Sequence, residues 1–464
     1  MSTIPAERIQ YLNTNFHNPV GKYVLYWMDA SLRQKYNSAL EYAIELGAEF
    51  KKGVVVLYCL HTKGRLTSRR RVRFALESLR ELEKTLAARG IQLVVVYGTP
   101  QELVPSFSVQ ACSLVMDCAY LREDRIVRNE IARTVLCDCV QVEDNVVVPV
   151  ETASPHADYS AKTFRPKLAA NVARFLTLPD RNKPAVSTLN INLMKLDLSD
   201  FDQIENQLSF PFDVAPAVNF PGGEDEADRR WRRFLRYGLA RYDQRRNPAA
   251  GVTSTLSPYL SFGCISPVQI LIQLREILKD DFLISCSDEQ RELLPLNIAA
   301  FEDEVLTRRE IAINYVWYTP QYDTYEGLPR WARRSLEMHS VDQRDHIFSF
   351  SEMKGGKTSD DFWNQIQLQL VKNGWTPPQT RMYWGKQPLL WTRDPVEAFR
   401  YALSLNNVYQ LDGFSPGGFA GVGWCYGLHD LPFHARPVWG YIRPMTQLPK
   451  QMADNPDYQT VRFT

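Results

Sequence analysis

Metal-binding patterns are missing from this sequence. Its eight cysteines, at 59, 112, 118, 137, 139, 264, 286 and 425, form no CxxC pair, and no histidine pair lies near them. The CDC at 137–139 has the wrong spacing for zinc, so no metal site is expected. A signal-peptide-like start is also missing, as is any apolar run of about 18 residues. The expectation is a cytoplasmic protein (nuclear in a eukaryote) with reduced thiols and no membrane association. Neither sign of charge is in excess, with 54 Lys and Arg against 53 Asp and Glu, so no bulk field announces a nucleic-acid partner. Two basic clusters, "TSRRRVR" (Thr67–Arg73) and "RRWRRFLRYGLARYDQRR" (Arg229–Arg246), stay open as local contacts or as solvated helix faces. No GxGxxG or P-loop follows the first apolar run, which excludes the usual glycine route to a dinucleotide. Internal repeats and low-complexity tracts are absent.

What is present divides in three. Over residues 1–150, short apolar runs ("KYVLYWM", "GVVVLYCL", "IQLVVVYG", "CSLVMDCAY", "DCVQVEDNVVVP") alternate with helical periodicity. In "NSALEYAIELGAEF" the spacing of Leu40, Ala43 and Ile44 is helical, and Gly90 is a plausible stop for the next helix. This alternation predicts a doubly wound, Rossmann-like parallel sheet with helices on both faces. Residues 151–222, rich in proline and polar groups, read as a long linker. From 223 to 464 the periodicity is helical, beginning with an acidic first turn and a stripe of Ala227, Trp231, Leu235 and Leu239. The fold class is α/β plus all-α.

Nine of the ten tryptophans lie at or beyond Trp231. Packing accounts for most of them, but indole is also easily oxidised. Trp384 and Trp391 stand seven residues apart in "RMYWGKQPLLW", almost two helical turns, and Trp363 in "SDDFWNQIQLQL" could join them in an electron relay. Pro388 should bend the helix between them. In "TSTLSPYLSFG" (Thr253–Gly263), four hydroxyls precede an apolar helical segment, a pattern that suits a diphosphate and equally an ordinary helix cap. In "LNNVYQLDGFSPGGFAGVGWCYGLHD" (Leu405–Asp430), the glycines would let backbone approach a flat ring, with Asn406, Asn407 and Asp412 at its polar edge.

Taken together and in order, these stretches resemble the photolyase/cryptochrome family, in particular its class II branch of cyclobutane pyrimidine dimer photolyases. The likeness runs from "GKYVLYWMDASLRQKYNSALEYA" through "VVVPVETASPHADYSAKTFRPKL", "TSTLSPYLSFGCIS", "EVLTRREIAINY", "RMYWGK" and "LDGFSPGGFAGVGW" to "RPVWGYIRPM". The resemblance implies a C-terminal helical domain that binds flavin adenine dinucleotide (FAD). It places Thr253, Ser254, Leu256 and Ser257 at the phosphates, with Arg381 and Asp412 as an ion pair beside the isoalloxazine and Asn406 at its N5. Trp384, Trp363 and Trp391 match the family's electron-transfer tryptophans. Glu304, Met382 and Trp424 match the dimer pocket, and Arg443 matches a DNA contact. The implied activity is light-driven splitting of pyrimidine dimers in UV-damaged DNA. A deazaflavin-type antenna in the α/β domain and a monomeric state accompany that expectation.

Several positions depart from the class II pattern. Ser261, Cys264 and Gln269 replace histidine, glutamine and a lesion-side arginine. "PPQT" (Pro377–Thr380) replaces "HGYM", while Asn407 and Val408 replace a charged pair. Leu431 and Phe433 replace an arginine and a tryptophan. These changes are expected to fall where DNA and the dimer bind. With the balanced charge, they keep a second reading open, a cryptochrome-like photoreceptor that signals to a protein partner.

Overall fold

The structure, a computed structural model, describes residues 4–277 and 287–445. A three-residue strand, β1 (Ile9–Tyr11), precedes the five strands expected from the apolar runs. These are β2 (Tyr23–Trp27), β3 (Gly53–Leu60), β4 (Gln92–Tyr97), β5 (Ala111–Asp117) and β6 (Cys139–Val142). The order is β1-β6-β5-β2-β3-β4, parallel throughout except for β1, which joins β6 antiparallel. Every residue of β2, β3 and β5 is buried. Helices on both faces demand that, so these strands are continuously apolar rather than alternating. Helices Ser38–Phe50, Arg69–Ala87, Pro100–Ser108 and Arg122–Thr134 supply the cover. Asn37 caps the first by accepting from the Leu40 amide. The second closes at Ala87, three residues short of Gly90, which takes φ 79° in the turn beyond.

The stretch read as linker is more ordered than its prolines suggest. A fifteen-residue helix, Ala161–Phe175, buries Phe164, Leu168, Val172 and Phe175 despite an internal Pro166. That apolar spacing outweighs one lost backbone hydrogen bond. In the helical half, Glu224–Tyr237 buries Ala227, Trp231 and Phe234, whereas Leu235 is half-buried. Phe234 takes that place because it stacks on Trp231 and meets Phe301 at a tilt, at centroid distances of 5.9 and 4.5 Å.

Buried charges join the two halves. Glu224 accepts from the Gln34 and Lys35 amides at 2.9 and 3.0 Å, and Glu310 accepts from those of Val147 and Val148. Burial pushes both carboxyls up to about 7, as it does Glu143. The "TSRRRVR" cluster belongs here too. Arg70 and Arg71 are each 1% exposed, which removes them from any solvated face or nucleic-acid surface. Arg70 donates to the carbonyls of Leu370 (3.2 Å), Tyr409 (2.7 Å) and Val371. These carbonyls lie in the last turns of helices Asp361–Asn373 and Pro395–Tyr409, where the dipole favours a cation and oxygens run short of intrahelical donors, although Leu370 also accepts from the Gly374 amide. Seven cysteines are free and buried; Cys286 lies outside the described residues.

Candidate active site

A cavity of about 600 Å³ runs between the two halves, within the range of about 300–1,000 Å³ typical of ligand sites. Asp29, Ala30 and Cys118–Leu121 line one part of it. They follow the C-terminal ends of β2 and β5, where the strand order reverses and doubly wound sheets open a crevice. The helical half provides the rest of the wall.

Thr253, Ser254, Leu256 and Ser257 all line the cavity. Thr255 adopts a left-handed φ of 56°, and its hydroxyl accepts from Arg230 Nη1 at 2.9 Å. Trp375 Nε1 donates to Ser257 Oγ at 3.1 Å. The helix that follows is only Ser257–Ser261, so hydroxyls and free amides must act on an anion with little help from a macrodipole.

Arg381 Nη1 donates to both Asp412 carboxylate oxygens, at 2.9 and 3.0 Å, and both residues are on the cavity wall. Arg381 Nη2 donates to Asn406 Oδ1 at 2.6 Å. Asn406 itself is fully buried one layer behind the wall, its amide nitrogen facing Asn407 Oδ1 and the Gly413 carbonyl. It orients Arg381 instead of facing the cavity as expected. The glycines are likewise divided. Gly417 lines the cavity, but Gly413 and Gly418 are required by backbone packing, since a Cβ on Gly418 would lie 1.9 Å from the Gly413 carbonyl oxygen.

The three tryptophans form an unbroken chain. Trp384 and Trp363 are stacked at 6.2 Å with an interplanar angle of 6°, and Trp363 meets Trp391 edge-on at 5.1 Å. None is more than 5% exposed. Trp363 Nε1 donates to the Trp384 carbonyl at 2.8 Å, and Trp384 Nε1 donates to Gln367 Oε1 at 2.9 Å. The helix breaks at Gln387 before Pro388, so the contact passes through Trp363 and not directly along a single helix face. Trp384 lies one turn beyond Arg381.

Glu304 stands on a π-helical turn, Glu304–Arg308, inserted between two α-helices. The extra residue in that turn places both Glu304 and Arg308 on the cavity wall. Glu304 is open to the cavity but otherwise walled by protein, and desolvation raises its pKa against the opposing pull of Arg308. The Arg308 guanidinium lies 5.2 Å over Trp424, which meets His429 edge-on at 5.9 Å. Burial lowers the His429 pKa to about 4. Arg308 and the π-turn were not foreseen; the first arginine of "TRRE" was the only available signal. Neither Met382 nor Trp424 lines the cavity, although Arg308 links Trp424 to the Glu304 turn. Arg443 is exposed, 3.8 Å from Asp430.

The departures from the class II pattern do not all face DNA. Cys264 is buried against Ser78 of the α/β half, 3.7 Å away. Gln269 is 5% exposed and donates to Asp228 Oδ1 at 3.2 Å, so it is an interior residue and no lesion contact. Val408 packs in the apolar cluster that holds the three tryptophans, and Asn407 pairs with Asn406. Ser261, Pro378 and Gln379 do line the cavity, while Leu431 is 74% exposed and Phe433 lies under Arg443.

The family model for DNA photolyase matches residues 24–186. The chain is 37% identical over 444 residues to the deoxyribodipyrimidine photo-lyase of Methanothermobacter thermautotrophicus, covering 95% of this chain and 94% of that protein. It shares a fold with a class III photolyase of Agrobacterium tumefaciens (TM-score 0.70, 18% identity, 94% of this chain and 86% of that one). The Sulfolobus tokodaii photolyase, solved with two FAD molecules, has a TM-score of 0.65 at 16% identity, over 87% of this chain and 82% of that one. With near-complete coverage at that identity and the matching two-part architecture, the chain belongs to the photolyase/cryptochrome family.

Proposed function

We propose that this protein is a blue-light-driven deoxyribodipyrimidine photolyase of the class II type, a carbon–carbon lyase that uses FAD to split cyclobutane pyrimidine dimers in DNA. The observation that carries the reading is the chain of three buried indoles in contact, ending one helical turn from the Arg381–Asp412 pair on the cavity wall. Packing alone does not call for that combination.

The residues present suit FAD. Thr253, Ser254 and Ser257 offer hydroxyls to a diphosphate, and the ion pair offers donors and acceptors to a polar ring edge. Two buried polar atoms on cavity-lining residues, Arg309 Nη1 and the Tyr120 hydroxyl, have no partner among the described residues. When bound and reduced, the flavin supplies an excited-state electron to the dimer. The chain's own task is to hold donor and acceptor in a closed pocket. A dimer flipped from the duplex, at a cost of a few kcal/mol, would enter beside Glu304, Arg308 and Trp424. Desolvation raises the Glu304 pKa, which moves its carboxyl toward the protonated form that would donate a hydrogen bond to a dimer carrying extra negative charge. Arg443, exposed on the surface, would meet phosphate. The part of the cavity near Asp29, Arg65 and Asp124, at the sheet's switch point, is where an antenna chromophore would sit.

The test is to reduce and illuminate the flavin-loaded protein with dimer-containing oligonucleotide. Recovery of thymine absorbance is expected. Photoreduction of the flavin without any recovery would favour the photoreceptor reading, for which exposed Leu431, in place of an arginine, is the specific support.

A further inference from the structure

Arg71 has no part in the reaction as proposed, yet it sits directly behind the site. It comes from the α/β half and is 1% exposed. Its Nε donates to the Leu411 carbonyl at 3.3 Å and its Nη2 to the Gln410 carbonyl at 2.6 Å. Its guanidinium carbon lies 5.1 Å over the ring of Phe414, which lines the cavity. The third nitrogen, Nη1, is buried without a partner among the described residues. The turn it grips is the one that carries Asp412, and a Cβ on Gly413 would fall 2.5 Å from Arg71 Nη2.

Gripping carbonyls does not require a charge. A neutral donor could do it without the desolvation cost of a buried cation. Burial pulls the Arg71 pKa down to about 9, with Asp412 opposing the shift and Arg70 and Arg381 adding to it, so it stays protonated at neutral pH. Asp412 therefore answers two guanidinium groups, Arg381 in front and Arg71 behind. The three charges sum to one net positive charge beside the cavity.

We infer that Arg71 is a positioning residue of the flavin site: it fixes the Asp412 turn and leaves an uncompensated positive charge that favours the reduced, anionic form of the bound ring. This rests on the proposed flavin function. A cation at short range in a poorly solvated site favours negative charge far more than the same cation in water.

The test is a spectroelectrochemical titration of the flavin-loaded full chain, comparing the parent with Arg71→Gln, Arg71→Met and Arg71→Lys. Met preserves apolar volume should the Gln variant fail to fold. Gln and Met are expected to shift the balance of oxidised to reduced flavin at least tenfold toward oxidised, about 30 mV lower for a two-electron couple. Lys should restore most of that shift, with every protein compared at equal flavin occupancy. An unchanged potential in Gln and Met, or a Lys variant that falls as far as they do, overturns the inference while leaving the flavin reading intact. A parent that takes up no flavin contradicts the proposed function itself, and the role of Arg71 with it.

Discussion

Trp363, Trp384 and Trp391 are packed to 5% exposure or less, each in ring contact with a neighbour. Glu304, Trp424 and Arg443 are left open or half-open, and Leu431 is exposed. The relay side is finished by its own contacts, whereas the lesion side is not. An electron path needs rings fixed relative to one another before light arrives. A pocket that admits a flipped pyrimidine dimer must stay open until the substrate closes it. Substitutions on the first side should thus be felt in the free protein, and those on the second only with DNA present.

The largest expected effect breaks the wall between the two sides. Asp412→Ala would leave Arg381 and Arg71 facing each other uncompensated, and removing one partner of a buried pair costs about 3–5 kcal/mol. A urea midpoint and the bound-flavin stoichiometry should both fall. On the lesion side, Glu304→Ala should lower repair yield by about 100-fold, in line with losing one donor to a developing negative charge. Photoreduction and the urea midpoint should not move; a matching loss of photoreduction would place Glu304 on the wrong side of the comparison.

A smaller effect concerns the joint between the halves, on which both sides depend. Glu143, Glu224 and Glu310 bind protons more tightly folded than unfolded, with folded values near 7 against about 4.3 for a free glutamate. Their contribution is complete below the unfolded value and is lost as pH rises through about 7. Urea stability should therefore be greater at pH 5 than at pH 8, and Glu224→Gln together with Glu310→Gln should flatten the difference. The smallest effect is a pair of arginine restorations. Leu431→Arg, on the open face, should tighten DNA binding by about 1 kcal/mol and steepen its salt dependence. Gln269→Arg should leave DNA affinity alone, because that position is interior and faces Asp228.

The sheet was legible because buried parallel strands are uninterrupted apolar runs, and all five parallel strands fell where "KYVLYWM" and its counterparts stand. The relay was legible only in part. Spacing showed Trp384 and Trp391 near each other, but not that Trp363 supplies the contact between them. Three things escaped for distinct physical reasons. The helix Ala161–Phe175 was hidden by Pro166, whose usual meaning was outweighed by five buried apolar residues. The π-turn at Glu304 leaves no mark on periodicity, since one extra residue in a turn looks like ordinary scatter. The buried roles of Arg70, Arg71 and Gln269 depend on which helix ends face them, and only tertiary packing decides that.

The central claim is that a flavin in this cavity is wired through three indoles in series. The most direct test is the rate of light-driven flavin reduction, with an external reductant, in the parent and in Trp384→Phe at equal flavin occupancy. The account predicts rapid bleaching of oxidised flavin in the parent and essentially none in the variant. Equal rates in the two proteins would contradict it.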